Sequence, residues 1–329
     1  MHFLIVLVAI IALENYSQMA FIQRDAWVQK WHSQLSRLSM LAGSAVLKLI
    51  AFVLVPVIAL YLVILLLSSS GYGLLVFVLE LGVLLYSFGR GDISAQIELL
   101  KSDIERDDLQ AAYHDAAVFN IAHRSSSAEN AADLYQELVA ALPYRIFERR
   151  FAAVFWFFVL GAPAALAYRL LALHGDMSLG DISRGESEAG LNVQAENSSL
   201  ENSPLEKDQV TADPQVDCSE KANTALWLLE WVPVRLLALT LGLVGSFAHA
   251  TAPLKELILC PRTSTADLLR RCVSGALGDI QRPHMVVGTD AGGHEDTAAG
   301  LALISEMVAL FTRAMMGWLV VIALLVMLS

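Results

Sequence analysis

A small set of charged side chains lies inside or against long apolar stretches of this chain: Glu14, Glu80, Arg169, Glu230 and Arg235, with Arg90 just beyond the end of another such stretch. A charge at bilayer depth costs on the order of 3 kcal/mol or more unless it is paired, wetted or bound to something. Two chemistries fit these residue types. Acids on one helix can neutralise arginines on another, which is structural ion pairing. Alternatively, Arg90, Arg169 and Arg235, each near a helix end, can line a pocket for an anion such as a phosphate or a lipid head group, because guanidinium holds such groups in a planar fork and stays charged. Glu14, Glu80, Glu230 and Trp231 complete that candidate ligand-binding set. Ion pairing is the favoured reading, since charged residues at helix ends also snorkel to water. Trp227 and Trp231 stand one helical turn apart, as in an interfacial belt, so Arg235 is expected near the surface, buried, and facing Glu14 or Glu80.

Other chemistries find no support. The chain has no Walker A sequence, no Gly-rich dinucleotide fingerprint and no G-x-S-x-G elbow, so no nucleotide cradle, cofactor or catalytic residue is assigned. Cys218, Cys260 and Cys272 are far apart and lack zinc-like spacing, so no metal is expected. His114 beside Asp115 and His123 beside Arg124 read as polar faces of helices.

The elements that position these residues are helices in a membrane. With 56% hydrophobic residues, 17% charged and a mean hydropathy of +0.55, the composition does not suit a water-soluble globule. Leu49–Leu67, Tyr72–Phe88, Phe151–Leu173 and Ala225–Phe247 read as full spans. Phe3–Leu13 and Met315–Leu328 are short, so their helices either extend into neighbouring polar residues or insert part way. No Lys or Arg precedes Phe3 and no small-x-small site follows, so that segment reads as a membrane helix and not a signal peptide.

The expected fold is therefore all-α: a polytopic helical membrane protein with four full spans, two short membrane segments and a small cytoplasmic helical cap. Its parts are N-terminal membrane helices at 1–88, the cap at 89–150, a membrane helix at 151–173 and an acidic, disordered loop at 174–224. A membrane helix with WVPVR at 225–247, a cytoplasmic segment with a helix at 248–312 and a C-terminal membrane segment at 313–329 complete the order. Basic residues in loops 14–48, 89–150 and 248–313 place those loops inside and both termini outside. The 174–224 stretch has only Arg184, Lys207 and Lys221 against eleven acids, which puts it outside and accounts for much of the net charge of −11. Nucleic acid is not an expected partner.

Within the cap, Ile93, Ile97, Leu99, Leu100 and Ile104, then Leu109, Ala112, Ala116 and Phe119, predict a helical pair. Leu134, Leu138 and Leu142 predict a further helix over about 128–141, ending at Pro143. Ser264 with Asp267 predicts a capping box that opens a helix reaching about Leu277.

Several of these features occur together in one family. The apolar segment closing on Glu14, the Gly89-Arg90 exit, FWFFVLG at 155–161, AYR at 167–169 and above all WVPVRL at 231–236 resemble AmpE proteins. That family in turn is similar to the membrane-bound cobinamide-phosphate synthases, CbiB or CobD, through FW, AYR and PARL elements. The AmpE resemblance implies a signalling modulator of β-lactamase induction, linked to cell-wall damage and peptidoglycan recycling, in a bacterial inner membrane as a multi-pass protein. Membrane lipid, a muropeptide or lipid-linked ligand, and a partner protein of the recycling pathway are the implied partners. The synthase resemblance implies the alternative, a membrane enzyme acting on a phosphorylated substrate. After AYR and before WVPVR, however, this chain offers Ala172, His174, Gly175 and Asp176, an acidic loop, then Leu226, Trp227 and Glu230, where the synthases carry most of their polar chemistry. The reading therefore favours a modulator over an enzyme.

Overall fold

Helix is the outcome expected of a chain whose backbone polar groups must be satisfied without water. The computed structural model describes residues 2–15, 25–37, 45–89, 93–106, 108–116, 119, 131–177, 214–245, 263–277 and 293–328, and among them no strand occurs. In chain order the helices are α1 (His2–Asn15), α2 (Ala26–Arg37), α3 (Ala45–Ser69), α4 (Gly73–Ser87), α5 (Ile93–Glu105), α6 (Leu109–Ala116) and α7 (Ala131–Ile146). A π-helical turn, Phe147–Ala152, leads without a break into α8 (Ala153–Leu160). Then come α9 (162–177), α10 (Pro214–Val244), α11 (Thr265–Leu277) and α12 (Gly293–Leu328).

Among the described residues three helices are long and apolar enough to cross a bilayer: Val46–Ser69, Lys221–Val244 and Gly300–Leu328. Their outward faces are apolar. Leu54, Ile58, Leu62 and Leu66 are exposed on α3, Leu228, Val232, Leu239 and Leu243 on α10, and Val320, Val321, Leu324 and Leu325 on α12. Such faces are stable in hydrocarbon and not in water. Two shorter apolar helices, Phe3–Ala12 and Gly73–Ser87, accompany them. The C-terminal segment, short in the sequence reading, belongs to one continuous helix that begins well before Met315.

The stretch expected as one membrane helix over 151–173 is not straight. Gly161 has φ +84°, a backbone conformation that side-chain-bearing residues rarely adopt, and α8 ends there. Arg145 and Asp176, separated by 31 residues, pair at 3.3 Å; a straight helix would hold them roughly 46 Å apart. The chain therefore folds back at Gly161, and α9 returns along the helix that precedes it. Val159 and Leu160 are exposed at the turn, and the two arms meet again at their polar ends.

The expected helical pair is present, with Ile93, Ile97, Leu100, Ile104, Ala112, Ala116 and Phe119 buried, whereas Leu99 is exposed. Leu134, Leu138 and Leu142 are fully buried, but Pro143 does not end their helix, which runs on into the π turn. Proline forfeits one backbone hydrogen bond, and burial of Ile146, Phe147 and Phe151 on the same run holds the helix through it. The Ser264 cap is formed, with the Asp267 amide donating to Oγ at 3.2 Å. Helix α10 starts at Pro214, earlier than expected; of the acidic loop, residues 178–213 lie outside the described residues.

Candidate functional site

Where α4, the π turn, the end of α9 and the first half of α10 converge, the interior is ionic. Arg169 on α9 approaches Asp25, just before α2, at 3.6 Å and Glu148 on the π turn at 4.0 Å. Glu148 accepts from Arg145 at 2.7 Å, and Arg145 also donates to Asp176 at 3.3 Å and to the Phe119 carbonyl at 3.2 Å. The Tyr86 hydroxyl, on α4, donates to Asp25 at 3.2 Å. Arg149 donates to Gln96 of α5 at 3.2 Å, which ties the cluster to the cap helices.

The backbone makes room for Arg169. Gly89 has φ +79°, and a Cβ placed on it would lie 3.2 Å from Cζ and both terminal nitrogens of the Arg169 guanidinium. Only glycine lets the chain leave α4 in that conformation while the guanidinium lies against it. Arg169 is 6% exposed, and its Nε has no hydrogen-bond partner among the described residues. A buried donor of this kind can be satisfied by an added anion.

Beside this chain of charges stands Glu230 of α10, 2% exposed. The hydroxyls of Tyr144 and Tyr168 both donate to its Oε1 at 3.0 Å, and Thr265 at the start of α11 bonds it as well. A Tyr-Arg dipeptide thus serves twice, at 144–145 and 168–169: each tyrosine reaches Glu230 and each arginine reaches Glu148.

Burial and charge act in opposition around these groups. Burial pushes the Arg145 guanidinium down, but Glu148 and then Asp176 more than offset this and hold it above its ordinary value. Arg149 has burial working against it and is lowered to about 10. Burial, with the Glu148 carboxylate adding to it, raises the Asp176 carboxyl. His174 is lowered to about 4 by burial and by the neighbouring His32. Among the described residues no three His, Cys, Asp or Glu side chains form a group that could hold a metal ion.

The residues singled out from sequence fall in different places. Arg169 and Glu230 are inside the junction. Arg235 is half-buried on α10, its guanidinium 4.0 Å from the Trp231 ring centroid and donating to the Trp231 carbonyl at 2.9 Å. The expectation that Arg235 is buried therefore gives way to a stacked position on the exposed Trp231, where the indole face and a backbone carbonyl stabilise the cation. Glu80 is half-buried midway along α4. Arg90 and the side chain of Glu14 lie outside the described residues. Asp25, Arg145, Glu148, Tyr144, Tyr168 and Asp176 were not among the candidates; the repeated Tyr-Arg dipeptide is the sequence signal that points to Tyr144, Arg145 and Tyr168.

Apolar outer faces around an ionic interior define a helical membrane protein. A family model described as regulatory signalling modulator protein AmpE matches residues 1–176, over half of the 329-residue chain, and the protein belongs to that family. The match includes every residue of the Asp25–Arg169–Glu148–Arg145–Asp176 chain, while Glu230 and the WVPVRL segment lie beyond it. Neither the curated proteins nor the solved structures gave a match.

Proposed function

We propose that this protein is a multi-pass modulator in a bacterial inner membrane that adjusts β-lactamase induction in response to cell-wall recycling, and that the Arg169 junction is its working part. The observation that carries the reading is the buried ionic chain joining apolar helices to polar ones, with one Arg169 donor still open to an anion. Family membership supports the regulatory role. In this reading a muropeptide or lipid-linked anion engages Arg169, with Arg90 following Gly89 in the sequence, and competes with Asp25 and Glu148. Ion pairs in a low-dielectric interior respond strongly to such competition, because removing one partner leaves the other uncompensated. The helices they join then shift relative to one another, and a partner protein reads the cap.

The membrane part of this proposal consists of crossings by α3, α10 and α12, the short helices α1 and α4, and a re-entrant hairpin of α8 and α9. Because the hairpin returns to the side from which it came, the loop after α9 shares that side with the cap, which the basic residues of 89–150 place in the cytoplasm. The test is genetic: a chromosomal deletion, with and without a plasmid-borne copy, in cells exposed to an inducing β-lactam. A change in induced β-lactamase activity reversed by the plasmid is expected; equal induction in all strains overturns the proposal.

A further inference from the structure

Helix α2 is amphipathic and lies against α3. Val28 and Leu35 are buried on Phe52, Tyr86, Leu166 and Leu170, while Lys30 and Arg37 face outward. What fixes its position is a gap in the backbone of α3. Pro56 has no N–H, so the Phe52 carbonyl one turn earlier lacks its helical donor. The Trp31 indole fills that vacancy, donating to the Phe52 oxygen at 3.3 Å.

This docking leaves a cleft of about 310 Å³, walled by Trp27, Lys30, Trp31 and Gln34 of α2 and by Val55, Pro56 and Ala59 of α3. Its walls are mostly apolar, with Lys30 and Gln34 of α2 as the polar side chains. Val55 is exposed at the cleft, and the face continues along α3 through Ile58, Leu62 and Leu66, also exposed. The cleft thus opens directly onto the lipid-facing side of a membrane helix. Its level is set by Trp27, whose ring packs 5.8 Å from that of Tyr86, the residue that meets the ionic junction through Asp25. Beside it α2 exposes Lys30, Ser33, Gln34 and Arg37, a polar face of the kind that suits a bilayer's edge, where tryptophan and lysine are favoured.

We propose that this cleft binds one phospholipid of anionic head group, with an acyl chain between Trp27 and Ala59 and the phosphate at Lys30. The apolar walls take the chain, Lys30 supplies the opposite charge, and Arg37 and Lys48 lie on the adjoining segments to favour the same sign of lipid. This site is separate from the anion proposed at Arg169, which is buried among the ion pairs.

The test uses the full chain in detergent micelles titrated with phosphatidylglycerol or phosphatidylcholine carrying brominated chains, which quench nearby tryptophan. Subtracting the Trp27→Phe signal from the wild-type signal isolates Trp27 from the other five tryptophans. Phosphatidylglycerol should quench that signal at about fivefold lower mole fraction than phosphatidylcholine, the preference one lysine near an anionic surface supplies. Lys30→Gln, a change at an exposed residue, should erase the preference, and Ala59→Phe, which fills the cleft, should weaken quenching by both lipids. Equal quenching by the two lipids in the wild type means ordinary annular lipid and overturns the proposal. So does a Trp27 signal that neither lipid quenches, or a preference that survives Lys30→Gln.

Discussion

Arg145 and Asp176, 31 residues apart in the chain, form an ion pair at 3.3 Å across the turn at Gly161. Their contact converts what reads as a membrane crossing into a hairpin. It also brings the start of the acidic stretch beside the end of α7. Asn223 of α10, with its Oδ1 3.5 Å from where a Cβ on Gly175 would lie, brings the far end of that stretch to the same place.

Protease added to intact spheroplasts should therefore leave the 178–213 stretch uncut, and cleavage there should require opening of the inner membrane. Cleavage in intact spheroplasts would restore the external loop that the charge distribution suggests.

Gly89 and Gly71 share a left-handed backbone, φ +79° and +78°, but differ in surroundings. An added Cβ at Gly71 meets nothing within 4 Å, whereas at Gly89 it presses on the Arg169 guanidinium at 3.2 Å. Gly71→Ala should cost about 1 kcal/mol of backbone strain. Gly89→Ala should cost more, roughly 2–4 kcal/mol, because it also displaces a buried charge. Thermal unfolding in detergent measures both, and equal losses would contradict the packing of Arg169 on Gly89.

Arg169 and Arg235 look equivalent in the sequence, since each is an arginine in an apolar helix. In the structure Arg169 is 6% exposed between Asp25 and Glu148, and Arg235 stacks on the outer-face Trp231. Arg169→Met should lower stability by roughly 3–5 kcal/mol by leaving buried carboxylates uncompensated. Arg235→Ala should lower it by about 0.5–1 kcal/mol. Denaturation of the two purified variants, if it ranked them in the opposite order, would reverse the assignment.

His174 packs among His32 and Phe52, with ring centroids at 5.5 and 5.3 Å, and burial followed by His32 lowers it to about 4. Between about 6.5 and 4 the unfolded chain binds a proton that the folded one does not, so this group makes stability fall as pH falls through that window. The slope is at most about 1.4 kcal/mol per pH unit. His174→Phe should flatten stability between pH 6.5 and 4 and leave it little changed at pH 7.5; an unchanged slope would contradict the role of burial here.

Much of the helical framework was legible because periodicity reports burial directly: Ile93, Ile97 and Ile104, and Leu134, Leu138 and Leu142, face the interior as their spacing requires. The Ser264 cap was legible because it is local. The hairpin was not, since hydropathy over 151–173 is the same whether the chain crosses or returns, and only φ +84° at Gly161 decides between them. The site was half legible. Arg169 and Glu230 stand out as charges in apolar runs, but Asp25, Glu148 and Asp176 sit in polar neighbourhoods and become interior only through tertiary packing.

The most direct test of the central claim is β-lactamase activity after β-lactam exposure in cells whose chromosomal copy carries Arg169→Met, with Arg235→Ala as the matched control and the amount of each protein in the membrane measured alongside. At equal amounts, the account predicts that Arg169→Met shifts induction to the level of the deletion strain while Arg235→Ala retains the wild-type level. Wild-type induction with Arg169→Met, in a background where the deletion does change induction, would contradict it.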